Sequence, residues 1–166
     1  MLLGEFFDYK NELMKRICKN RDILRLVLDE EEPEIPNCDL AYKQVFPYEY
    51  IPETVESGQT FICFDVDIAD VIDKTYYNPV LYVWVFTYKS KLRLLDGGVR
   101  IDRLASEIDK ELNGDRNFGL GTLELRAVSR FEPIQGYLGR ELIYTATDFN
   151  RPGISKRPPV NRKHHG

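Results

Sequence analysis

The sequence predicts an α+β domain: an antiparallel or mixed four-stranded sheet with two packed helices, in the order α-loop-β-β-α-β-β. Three observations predict it. Phe7–Leu28 and Gly98–Leu112 carry apolar residues at helical spacing. Val80–Thr87, "VLYVWVFT", is apolar on both faces and dominated by β-branched and aromatic residues. The remaining period-two segments are joined by turn-rich connections of hairpin type.

Each element follows in order. In Phe7–Leu28, Leu13, Ile17, Leu24 and Leu28 form one side, widened by Met14 and Ile23, while Lys10, Lys15, Arg16 and Lys19 lie elsewhere. The acidic run Asp29–Glu32 and Pro33 end it. Residues 30–59 read as a long irregular loop, because Pro33, Pro36, Pro47 and Pro52 remove backbone donors and push their predecessors to extended geometry. Loops of this length inside a compact domain are usually functional. Thr60–Ile68 alternates through Phe61, Cys63 or Phe64, Val66 and Ile68, a strand with an irregularity near Cys63. Val80–Thr87 is a central strand covered on both sides. In Gly98–Leu112, Ile101, Leu104, Ala105, Ile108 and Leu112 form one stripe, and Asn113-Gly114 is a stop signal. Leu120–Phe131 and Leu138–Thr147 are two strands joined by "EPIQGYLG". Residues 1–149 make a single domain, and residues 150–166 a proline-containing, extended C-terminal arm without apolar periodicity.

Charge divides along the same boundary. The net charge is -4, but residues 150–166 hold Arg151, Lys156, Arg157, Arg162 and Lys163 and no acid. The body is left with 18 basic against 27 acidic groups, or -9. Such a body disfavours non-specific duplex binding, whereas the arm suits a salt-dependent nucleic-acid contact or docking on an acidic neighbouring subunit. The three cysteines, Cys18, Cys38 and Cys63, are odd in number and widely spaced, so they read as reduced thiols of a cytoplasmic protein, neither a disulfide framework nor a zinc half-site. The start "MLLGEFFDYKNELMK" is not a signal peptide, and the apolar run Val80–Phe86 is far too short to span a membrane.

Four segments are candidate sites. "LDGGVRIDRLASEIDKELNG", Leu95–Gly114, sets two glycines before a helix but lacks both the Gly-x-x-x-x-Gly-Lys-Ser/Thr and the Gly-x-Gly-x-x-Gly spacing, and Asp96 sits where a phosphate would be repelled. Gly97 and Gly98 are therefore read as a turn from strand to helix, with Asp96 accepting from the helix's free amides. "FDVDIADVID" puts Asp65 and Asp67 on one face of a strand, followed by Asp70 and Asp73. Paired carboxylates hold magnesium in nucleases, but the same pattern is also the wet face of an edge strand. His164 and His165, the only histidines, lie in the tail, where no base is held in position, and no serine sits in a nucleophile elbow. "VFPYEYIP" concentrates Phe46, Tyr48 and Tyr50, which suit a protein–protein surface or a loop folded onto its own core more than a base-stacking platform. No cofactor, metal or catalytic residue is expected. The candidate subunit-interface residues are Phe46, Tyr48 and Tyr50 in the loop and Arg151, Lys156 and Arg157 in the arm.

The run from Leu95 to Gly114, followed by "FGLGTLELRAVSRFEPIQGYLGRELIYTATDFN", resembles the C-terminal half of bacteriophage and prophage neck and tail-completion proteins, of the tail-terminator or head–tail joining type. The matching residues are Arg100–Asp109 and Leu120–Arg151, and "IPNCDLAYKQVFPYEYIPET" is similar as well. The resemblance implies a structural virion subunit, assembled in the bacterial cytoplasm, that forms a ring, commonly six-fold, at the head-proximal end of the tail. Such a ring ends tube growth, meets tail-tube and head-connector proteins, and passes DNA through its lumen unread. An acidic body suits a conduit for a polyanion. The long loop and the basic arm depart from a minimal terminator and leave open another neck ring, an adaptor or a stopper. A small metal-dependent nuclease using Asp65 and Asp67 is the alternative from another class.

Overall fold

The computed structural model describes residues 4–31, 33, 40–53, 58–72, 76–116, 122–146 and 148–149, with the side chains of 69–72, 76–77 and 148–149 outside the description. Its elements are helix α1 (Glu5–Lys19), helix α2 (Arg21–Leu28), strand β1 (Val45–Phe46), strand β2 (Thr60–Ile72), strand β3 (Tyr76–Tyr88), a 3-10 turn (Lys89–Lys91), helix α3 (Arg100–Leu112), and strands β4 (Glu124–Phe131), β5 (Tyr137–Thr145) and β6 (Asp148–Phe149). The sheet runs β1-β2-β3-β5-β4, with β6 pairing β3. β1 is parallel to β2, and the other pairings are antiparallel. The α+β class and the mixed sheet match expectation; two helices and four strands do not.

The extra helix comes from Asn20. Its backbone is extended, and its side chain accepts from the amides of Asp22 and Ile23 at 3.1 Å each. It thereby ends α1 and caps α2. The break shifts the phase of the apolar stripe. Tyr9, Leu13, Ile17 and Cys18 are buried in α1, then Ile23, Leu24, Leu26 and Val27 in α2. Asn20→Ala should cost about 1 kcal/mol, read as a lower urea midpoint with an unchanged slope; an unchanged midpoint would mean that the cap contributes nothing.

The extra strands are short. β1 lies inside the expected 30–59 loop, where only Val45 and Phe46 pair with Ile62 and Cys63. β2 and β3 each run thirteen residues, longer than expected, because Asn78-Pro79 does not end the ribbon. Pro79 sits opposite the irregularity between Ile68 and Asp70, where a missing donor is tolerated.

β3 separates two cores. On one face Leu81, Val83 and Val85, with Ile62, Phe64, Leu142 and Tyr144, pack under the helices through Leu13, Ile17, Ile23, Leu104 and Ile108. Among the described residues no helix covers the other face: Phe46, Phe61, Cys63, Trp84, Phe86 and Tyr137 cluster there with Tyr50, Tyr82, Tyr88, Phe131 and Ile134. The central strand is thus buried on both sides, as its unbroken apolar run requires.

Candidate functional site

The aromatic loop folds onto the chain's own second core. Phe46 stacks on Tyr50 with ring centroids 4.0 Å apart, and Tyr50 lies 5.7 Å from Phe61. Phe46 is buried and Tyr50 half-buried. Tyr48 is 44% exposed, with its ring centroid 6.5 Å from that of Tyr42, which is 61% exposed. Of the predicted interface residues in the loop, Tyr48 alone is exposed. Arg151, Lys156 and Arg157 lie outside the described residues.

Asp65 and Asp67 sit opposite Tyr82 and Val80 on the helix-free face. Lys10, from α1, pairs with Asp65 at 2.5 Å and donates to the Pro47 carbonyl at 3.0 Å. The cation facing this carboxylate is therefore remote in sequence and ties α1 to the end of β1. Asp73 lies outside the described residues, as does the Asp70 side chain. Among the described residues, no group of three or more His, Cys, Asp or Glu is placed to hold a metal ion.

The Gly-Gly segment is a turn. Gly97 and Gly98 take φ of 96° and 90°, the left-handed region that glycine occupies at no steric cost. Leu94 and Gly98 close the turn through the Leu94 amide, 3.1 Å from the Gly98 carbonyl. Asp96 does not cap α3, which has no side-chain cap. It accepts instead from Arg103 at 2.6 Å, and that guanidinium holds the Asp96 carboxyl below the usual carboxylate range. Beside this turn lies a cleft of about 500 Å³, walled by the end of α2 and the first turns of α3, with Asp29, Glu30, Asp96, Arg100 and Arg103 in its lining.

Arg100 is the polar centre that the sequence reading missed. Its side chain is 5% exposed. Nε donates to the Lys91 carbonyl and Nη1 to the Leu26 carbonyl, both at 2.8 Å, while Nη2 donates to Asp29 at 2.5 Å. One guanidinium thus joins α2, the 3-10 turn and α3. The signal was in the spacing: position 100 continues the stripe of Ile101, Leu104 and Ala105 toward the helix start. Further along α3, Asp102 accepts from Arg140 at 2.8 Å and Asp109 from the Tyr144 hydroxyl at 2.9 Å. Burial, with Asp109 beside it, pushes the Tyr144 hydroxyl well above its ordinary pKa.

Cys63 is a free thiol, buried, with its pKa pushed up to about 12 by burial, so it remains protonated and a poor nucleophile near neutral pH. Cys18 is disulfide-bonded, which corrects the expectation of reduced thiols throughout. Sequence spacing gives no sign of a bridge between residues that only the fold makes neighbours.

The sheet ends in two open edges. β4 pairs with β5 alone, and β1 covers β2 only at Ile62 and Cys63, so among the described residues no strand pairs outside β4 or outside β2 beyond Cys63, though Asn113 accepts from the Leu125 amide and the Asp65 carboxylate from the Val66 amide. Among the same residues, no helix is long and apolar enough to cross a membrane.

The model of the YomW family, a phage-like family of the Bacillus prophage kind, matches residues 12–146. No curated protein matches the chain.

Proposed function

We propose, from the premise that this chain belongs to the YomW family, that it is a structural virion subunit forming a ring, hexameric as in the proteins it resembles, at the neck or head-proximal end of a phage tail. There it terminates the tube and joins it to the head. The observation that carries this reading is how the segment resembling neck proteins spends its polar groups. Arg100 binds α2 and the 3-10 turn, Asp102 binds Arg140 of β5, and Asp109 binds Tyr144 of β5. These groups anchor α3 to the rest of the domain, the work of an architectural residue set rather than a reacting one. The sheet edges, unpaired by any strand among the described residues, and the exposed Tyr48 give such a subunit surfaces for neighbours.

Deleting the gene from an inducible prophage tests the reading. The expected lysate contains heads and separate tails of irregular, often excessive length, and the gene supplied in trans restores joined particles. Heads left unjoined beside tails of normal length would assign the protein to another ring of the neck. Infectious particles with normal tails in its absence would overturn the proposal.

A further inference from the structure

We propose that the chain's own C-terminal arm, residues 150–166, docks on the half of the helix-free sheet face that the aromatic loop leaves uncovered. The contact lies within one chain, so it does not depend on the ring reading above.

Three observations lead there. The first is the face itself. Register partners point the same way, so Asp67, Val80 and Thr145 make one row across the sheet, Asp65, Tyr82 and Ile143 the next, and Cys63, Trp84 and Glu141 a third. Tyr82 and Trp84 belong to the aromatic cluster, which puts all three rows on the helix-free side. Phe46 and Tyr50 pack over Phe61, and the Tyr50 carbonyl reaches as far as Cys63. Beyond that point Tyr82, Ile143 and Thr145 are half-buried and Asp67 is exposed. The Tyr82 and Trp84 rings lie nearly parallel there, with centroids 5.8 Å apart.

Charge is the second. Among the described residues, Asp67 has no ion pair, and Glu141 accepts only from neutral donors, the Trp84 indole at 2.7 Å and the Ser129 hydroxyl at 3.4 Å. The other charges of this half cancel in pairs, Asp65 with Lys10 and Glu124 with Arg126, while Arg140 lies on the helix side against Asp102. Two uncompensated carboxylates therefore flank an aromatic pair. The arm is their complement: it holds Arg151, Lys156, Arg157, Arg162 and Lys163, no acid, and the pair Pro158-Pro159. Prolines favour the preformed polyproline helix, and aromatic-lined surfaces bind it.

The path of the chain is the third. β6 runs antiparallel to β3 and ends with Phe149 opposite Tyr76, so the chain leaves it toward the tip of the β2–β3 ribbon. The next residues, Arg151-Pro152-Gly153-Ile154, carry the proline and glycine that a type II turn requires at its two central positions, a signal for reversal. Thirteen residues, 154–166, remain after it. At about 3.1 Å each in polyproline geometry they span about 40 Å, whereas Tyr76 to Trp84 along the strand is about 27 Å. A returning limb thus reaches all three rows of the same chain.

Trp84 is the chain's one tryptophan, so its fluorescence in the full-length protein reports on this face alone. The test is acrylamide quenching of that fluorescence over a wide dilution range. Lys156→Glu with Arg157→Glu should raise the quenching constant about twofold, and salt at about 1 M should do the same to the parent, because both weaken attraction to Asp67 and Glu141. Asp67→Lys, added to the two arm substitutions, should restore most of the protection, and all values should be independent of protein concentration. Quenching unmoved by the arm substitutions overturns the proposal. So does an effect that Asp67→Lys fails to rescue. Protection that appears only on concentrating the protein gives the face to another copy's arm and overturns the intrachain contact. None of these results bears on the ring reading, which native mass decides.

Discussion

Arg100→Ala should destabilise the protein by about 3 kcal/mol, a loss of roughly 6–12 °C in melting temperature for a chain of this size. The guanidinium is almost wholly buried and uses its fork on three separate segments: the Lys91 carbonyl, the Leu26 carbonyl and the Asp29 carboxylate. Truncation leaves two carbonyls without their donor, and each unsatisfied buried acceptor costs on the order of 1–3 kcal/mol. The Asp29 carboxylate is 48% exposed and can recover water, which keeps the total below that of a fully buried ion pair. Arg100→Lys should recover less than half, because an ammonium keeps the charge but cannot span three acceptors held in a fork. Thermal unfolding of the three proteins checks this. A melting temperature for Arg100→Ala within about 2 °C of the parent would show that the α2–α3 junction holds without the guanidinium.

Gly139→Ala should cost about 3 kcal/mol, against the usual direction of that change in a strand, where alanine is the more stable residue by roughly 0.5–1 kcal/mol. An added Cβ would lie 2.2 Å from the Val85 carbonyl oxygen and 2.7 Å from Phe86 Cβ. Neither atom is the end of a flexible side chain. Gly139 pairs with Phe86 on one side and Phe131 on the other. Across the space it leaves, those two rings meet edge-on with centroids 5.7 Å apart. Alanine must therefore push β5 off β3 or break the ring contact, and both disturb the helix-free core. Urea unfolding monitored through Trp84, which sits in that core, reads the effect directly. A stabilised or unchanged variant would contradict the packing described.

What the sequence reveals about this fold depends on how local the cause is. Val80–Phe86 is legible as a central strand because burial on both faces leaves no polar position. α3 is legible because its stripe and its Asn113-Gly114 stop lie within one segment, and Gly114 takes φ of 81° as a stop requires. Asn20 is also a local signal, overridden because apolar residues continue on both sides of it and suggest one helix. β1 and β6 have two residues each and exist only through their partners, so no periodicity can announce them. The same holds for the candidate sites. Phe46 and Tyr50 are conspicuous in sequence, but only the fold shows them stacked into a core. Asp65 looks like half of a metal site until Lys10, far away in the chain, is seen against it. Arg100 was hidden by its charge, which reads as surface although its position lies on the buried stripe.

Native mass of the purified full-length chain, with electron images of the same sample, tests whether this domain is a ring subunit. A ring subunit should give a discrete oligomer, closed, with a central opening, whose mass is a small whole multiple of one chain. A single species at the mass of one chain across the whole concentration range, with no rings in the images, would contradict it.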